Sequence, residues 1–283
     1  MEHVEWVNRP DLRRPMAMSA FDGWGDAGSA ATTAVAHVVA QLDSEEPFAR
    51  INPEPFFDFT QRRPLVELDA DGVRSVHWPR FDFYGLRPPG SDRDLVVLIG
   101  EEPHLAWRLF TRQVVDVMTA MGVDLSVTIG AFIGQVTHTL PVPLVGVASN
   151  RDLIDRHRLL SSGYQGPTGI TGVLTDAFTK AGWSTISVWA AVPHYLSAQT
   201  YPPGALALLE KALEITGLDL DVSALRSEAA EFLENVDSAL GDNPELKSYV
   251  EQLTSQLRRD LTEDPGSRLV DEIERYLRSG EAP

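Results

Sequence analysis

Apolar positions change period along the chain. Pro15 to Phe21 reads as a buried strand, and Ala31, Val35, Val38, Val39 and Leu42 then recur at helical spacing. Between Phe56 and Tyr84 the pattern alternates on either side of the turn signal Asp71-Gly72, which predicts an antiparallel hairpin. Leu95 to Ile99 is a short continuous apolar run, and Phe110, Val114, Val117, Met118 and Met121 follow on one helical face. Leu125 to Phe132 and Leu144 to Ala148 repeat the strand signal; Ile170, Val173, Leu174, Ala177 and Phe178 mark another helix, and Thr185 to Val192 another strand. Strands alternating with helices predict an α/β fold with a mixed, mostly parallel central sheet covered by helices.

Beyond residue 218 only the helical period remains. Leu225, Ala229, Phe232, Val236 and Leu240 form one stripe, and Leu246, Val250, Leu253, Leu257 and Leu261 form a second after the start signal Asn243-Pro244. Asp264-Pro265-Gly266 breaks the pattern before a third stripe, Leu269, Ile273 and Leu277. The expected organisation is an α/β core over residues 1–218 and an acidic helical subdomain over 219–283.

Composition narrows the chemistry. The 283 residues are 43% hydrophobic, enough to bury a full core, and no apolar run approaches membrane-spanning length. With no basic, apolar leader at the start, the expected location is cytoplasmic. The absence of cysteine excludes disulfides, thiolate nucleophiles and cysteine-held metals. A formal charge of −17 argues against nucleic acid as a partner. Residues 219–283 carry 16 acidic and 7 basic side chains, so the acidity is concentrated there.

Gly23, Gly25 and Gly28 follow the first strand in the spacing G-x-G-x-x-G. A dinucleotide loop uses such glycines to bring backbone N–H groups against a pyrophosphate. Here Asp22 and Asp26 put carboxylates where that anion would sit, Trp24 is bulky for the turn, and Glu45-Glu46 does not close a second strand. The reading preferred is a strand-to-helix corner in which glycine supplies positive φ or close packing and Asp26 complements the helix dipole.

Phe21-Asp22-Gly23-Trp24-Gly25-Asp26-Ala27-Gly28 together with Gly166-Pro167-Thr168-Gly169-Ile170-Thr171-Gly172-Val173-Leu174 resembles the proteasome assembly chaperone 2 family in its actinobacterial branch. The similarity runs over residues 14–200 and, with the helical tail, the whole chain. It implies a core similar to the phosphorylase and peptidyl-tRNA hydrolase fold and a homo-oligomer, with a trimer as the first expectation. For eukaryotic relatives it implies assembly of proteasome α-rings, and for the bacterial branch no settled activity. Those chaperones are associated with a C-terminal hydrophobic-Tyr-any tripeptide, whereas this sequence ends Glu281-Ala282-Pro283.

Ligands of open α/β sheets collect beyond the carboxyl ends of the strands. Asp22, Asp26, Glu101 and Glu102 all follow predicted strands there, so together they are candidates for a divalent cation; no other cofactor is expected. The simpler reading makes Asp26 and Glu101 or Glu102 helix-opening acids. His138 and His194 also follow strands and are candidate bases in the same crevice, which makes Asp22, Asp26, Glu101, His138 and His194 the catalytic candidates. The loop Ser161 to Gly169, with Tyr164, Gly166, Thr168 and Gly169, is a candidate anion nest at a helix start or a plain connector; it contains no lysine and is no P-loop. No G-x-S-x-G elbow is present. The sequence favours a protein working through protein contacts, proteasome-related by resemblance, with a small-molecule hydrolase or phosphorylase-like enzyme as the alternative.

Overall fold

A computed structural model describes residues 2–41, 46–69, 72–161 and 165–263. The first third supplies β1 (Val4–Trp6), β2 (Met16–Asp22), α1 (Ala30–Gln41), β3 (Ala49–Ile51), β4 (Leu65–Leu68), β5 (Arg74–His77), β6 (Phe81–Leu86) and β7 (Leu95–Glu101). The middle adds α2 (Trp107–Ala120), β8 (Leu125–Gly134), β9 (Leu144–Ala148), α3 (Arg151–Arg156), β10 (Leu160–Ser161), α4 (Ile170–Lys180) and β11 (Ser184–Pro193). Helices α5 (Pro202–Thr216), α6 (Ser223–Gly241) and α7 (Pro244–Glu263) follow. The third tail stripe, from Leu269 to Leu277, lies outside the described residues.

Nine strands form one sheet in the order β1-β3-β6-β7-β2-β8-β11-β9-β10. The four central strands β7, β2, β8 and β11 run parallel, as the alternation of strand and helix predicts. The sheet turns antiparallel from β7 outward to β1, and β9 also runs antiparallel to β11. Residues 135–143 are too few to hold the helical crossover that a parallel strand needs, so the chain returns directly. The hairpin expected around Gly72 is present as β4 and β5, apart from the main sheet.

Burial on β2 explains why this strand reads as a continuous apolar run. Met16, Met18 and Ala20 enter one core with α1 and α5, while Ala17 and Phe21 enter another with α2 and α4. Both faces are therefore covered. Leu225, Val236 and Leu240 of α6 and Val250 of α7 join the first core, so the described tail helices bury their stripes on the α/β body. Helix α5 lies between the sheet and α6 and buries Leu208, Leu209, Ala212 and Leu213. Among the described residues no helix is long and apolar enough to cross a membrane.

Candidate functional site

The first glycine motif forms the corner between β2 and α1, and each glycine is required by a neighbour. Gly23 adopts φ +143°, and a Cβ there would lie 2.8 Å from the Glu102 Cβ. Gly25 lies against the Trp189 ring, 3.1 Å from where its own Cβ would be, and its carbonyl accepts from the Ala131 N–H at 2.8 Å. Gly28 adopts φ +59°, and a Cβ would meet the Tyr201 Cβ at 2.9 Å. Gly28→Ala adds left-handed strain to that collision and is expected to cost about 2 kcal/mol, read as a lower thermal unfolding midpoint.

Asp26 is buried at this corner. Its Oδ1 accepts from the Ala31 N–H at 2.7 Å and the Thr32 N–H at 3.3 Å, and the Thr32 hydroxyl donates to Oδ2. The carboxylate thus fills the N-terminal end of α1, where a pyrophosphate would bind. Burial pushes its pKa up to about 6, against the opposing pull of those hydrogen bonds.

Glu102 performs the same task for a different helix. Its Oε1 accepts from the Ile170 N–H at 2.7 Å, at the start of α4, and its Oε2 accepts from the Trp24 N–H at 3.3 Å. One half-buried carboxylate therefore ties the first motif to the second, and desolvation raises its pKa against both hydrogen bonds. The glycines of the second motif follow from the same packing. A Cβ on Gly169 would lie 2.8 Å from Glu102 Oε1 and 3.1 Å from the Trp24 ring, and one on Gly172 would collide with the Thr168 hydroxyl. Neither Glu101 nor Glu102 opens α2, the helix that follows them; α2 starts at Trp107 after Ala106 in a left-handed conformation, and Glu102 caps α4 instead.

Asp22 and Glu101 do come together, across the parallel pair β2 and β7. The cation between them is a side chain: Arg62 Nη2 is 2.6 Å from Asp22 Oδ2, and Arg62 Nε pairs with Glu101 Oε2. Arg62 reaches them from the approach to the β4–β5 hairpin, and nothing in the local spacing marks it. Among the described residues no group of three or more histidine, aspartate or glutamate side chains is placed to hold a metal ion.

The two histidines are each engaged by the helical tail. His138 is buried with Nδ1 2.7 Å from the Tyr195 hydroxyl and Nε2 3.2 Å from Asp237 Oδ1 on α6. His194 Nε2 is 3.2 Å from the Tyr249 hydroxyl on α7. Thr137, Thr139 and Thr254 continue the network, with Thr139 Oγ1 2.8 Å from Thr254 Oγ1. These contacts clamp α6 and α7 to the ends of β8 and β11. They depend on helices more than fifty positions distant, which no local spacing in the sequence marks.

In the candidate anion loop, Gly166 and Thr168 are exposed and Gly169 is buried at the start of α4, whose first N–H is already held by Glu102; Tyr164 lies outside the described residues.

The PAC2 family model matches residues 20–240. A PAC2 family protein from Streptomyces avermitilis is 40% identical, the match covering 79% of this chain and 95% of that one with a TM-score of 0.74. A proteasome-assembly chaperone homologue from Mycobacterium tuberculosis is 35% identical over 83% of this chain and 99% of its own, with a TM-score of 0.76. A protein of unknown function from the same organism is 28% identical over 98% and 96%, with a TM-score of 0.87. No curated protein matches the chain significantly. Both glycine motifs fall inside the matched span and are explained by one packing arrangement, and this chain belongs to the PAC2 family.

Proposed function

We propose that this protein acts through protein–protein contacts, as an assembly-chaperone-type factor and as a homo-oligomer, with a trimer the expected form and a proteasome subunit the expected partner. The observation that carries the reading is the β4–β5 hairpin, whose apolar side chains Leu65, Val66, Leu68 and Val76 are all more than half exposed. An uncovered apolar element of this kind is an interaction surface. The 35% identity to a proteasome-assembly chaperone homologue supports the choice of partner.

The hydrolase or phosphorylase-like alternative draws on the same strand ends and finds less there. Asp26 and Glu102 are engaged by helix N–H groups, and Asp22 and Glu101 are engaged by Arg62. Occupied acceptors give a substrate little to displace.

Mixing the purified full chain with purified α subunits of a bacterial proteasome tests the proposal. Sedimentation is expected to show a defined complex, and native mass spectrometry faster formation of α-rings. Absence of any complex, with ring formation unchanged, would overturn it.

A further inference from the structure

Strands β2 and β7 are parallel neighbours, yet the helices that follow them leave on opposite sides of the sheet. Ala31, Ala34, Val35 and Val38 of α1 enter the first core, and Phe110, Val114, Val117 and Met118 of α2 enter the second. Where the chain parts to both faces in this way it leaves a crevice beyond the strand ends, the position at which open α/β sheets take their ligands. Asp22 and Glu101 stand at those two ends.

The β4–β5 hairpin encloses this position. A cleft of about 530 Å³ is bounded by Glu101 on the sheet and by Leu65, Glu67 and His77 on the hairpin, and it falls within the roughly 300–1,000 Å³ of small-molecule sites. The hairpin register sets Leu65 opposite His77 and Glu67 opposite Ser75, so these side chains share one face. Arg62, Arg63, Arg80 and Trp78 complete the walls.

Inside the cleft the acceptors are engaged and donors remain. Arg62 holds Glu101 together with Asp22, and Glu67 Oε2 lies 3.2 Å from His77 Nε2. Arg63 is exposed and forms no ion pair among the described residues. Arg80, also exposed, shares the buried Asp82 carboxylate with Arg50, at 3.3 and 3.5 Å, so two guanidiniums divide one negative charge. Guanidinium forks fit phosphate and carboxylate oxygens, and two of them suit a dianion with three terminal oxygens better than a carboxylate, which one fork satisfies.

The fourth wall supplies a platform. Trp78 is 52% exposed, and its T-shaped contact with Phe59 at 4.9 Å is carried through Phe57 to the buried Phe81. An indole fixed in this way takes a planar ring by stacking, at little cost in side-chain freedom. The formal charge of −17 repels long polyanions, which restricts the occupant to a small molecule.

We propose that this cleft binds a small planar ring carrying a phosphate monoester, the chemistry of a nucleoside monophosphate, with the ring on Trp78 and the phosphate between Arg63 and Arg80. The ligand then bridges the hairpin to the end of the sheet. The site is one of binding and not of reaction, and it is independent of the protein contacts proposed above.

Calorimetric titration of the full chain with AMP, GMP, CMP and UMP tests it, with inorganic phosphate and adenosine as the two halves of a ligand. At least one nucleotide is expected to bind at one site per chain, with phosphate and adenosine each weaker by about tenfold or more. Arg63→Gln and Arg80→Gln are each expected to weaken the nucleotide by about tenfold or more, and Trp78→Leu to weaken the nucleotide while leaving phosphate unchanged. Arg63→Gln is expected to keep the wild-type unfolding midpoint, because the side chain is exposed, so its loss of binding is not a loss of fold. Amide exchange over residues 65–77 is expected to slow when the nucleotide is bound. Binding of none of the four nucleotides at millimolar concentration, nucleotide binding unchanged by Arg63→Gln, or phosphate binding as tightly as all four would each overturn the proposal. Association with proteasome α subunits is measured separately, so neither result decides the other.

Discussion

Glu102→Ala is expected to destabilise the protein by about 3–4 kcal/mol and to lower its unfolding midpoint by roughly 6–15 °C. The side chain accepts two backbone N–H groups from segments distant in sequence, Trp24 at 3.3 Å and Ile170 at 2.7 Å. Truncation removes the charged acceptor and leaves the start of α4 uncapped. It also empties the space against which Gly169 is packed, while the Cβ that Gly23 lies against is retained. The desolvation that raises the Glu102 pKa offsets part of this, so the net cost is below the sum of two charge-assisted hydrogen bonds. Glu102→Gln separates acceptor from charge: its carbonyl still caps Ile170 while its amide opposes the Trp24 N–H. An intermediate loss is expected, with amide exchange accelerated at Trp24 and protected at Ile170. A wild-type midpoint for the alanine variant would show that the two motifs are not joined through this carboxylate.

The same residue shows where reading the sequence succeeds and where it stops. The strand, glycine corner and helix from Met16 to Gln41 were legible because burial on both faces of β2 and a glycine at positive φ are local requirements. The two glycine motifs were each recognisable, yet the reason they occur together was not. Glu102 and Ile170 are 68 positions apart, and no spacing rule connects them. Arg62 was invisible for a like reason, since it meets Asp22 across 40 positions from a hairpin outside the main sheet. Their shared strand ends make the four acids one possible site in the sequence. Topology separates them by side-chain direction and partner, with Asp26 turned to α1, Glu102 to α4, and Asp22 with Glu101 to Arg62. Strand β9 carried a true strand signal without its direction, because direction depends on the length and route of the connection.

Asp26→Asn is expected to stabilise the protein at neutral pH and to flatten its pH dependence. The wild-type carboxyl has a folded pKa of about 6 against an ordinary aspartate value of 3.8, because burial penalises its charged form. A raised pKa contributes stability that is fully present below the unfolded value and is lost as pH rises through the folded one. The wild type therefore loses about 3 kcal/mol between roughly pH 4 and pH 6 from this group, and above that range holds an ionised carboxylate in the core. Asparagine preserves the geometry. Its carbonyl accepts from the Ala31 and Thr32 N–H groups, and the Thr32 hydroxyl, which donates to Asp26, turns to accept from the new amide. The variant is thus expected to match the wild type near pH 4 and to exceed it by up to about 3 kcal/mol near pH 8, measured by denaturant unfolding at each pH. The sign distinguishes two roles for the residue. If the ionised form were needed to hold α1 through its helix dipole, the asparagine variant would be the less stable one at pH 8, and parallel stability curves would mean that Asp26 titrates as an ordinary exposed acid.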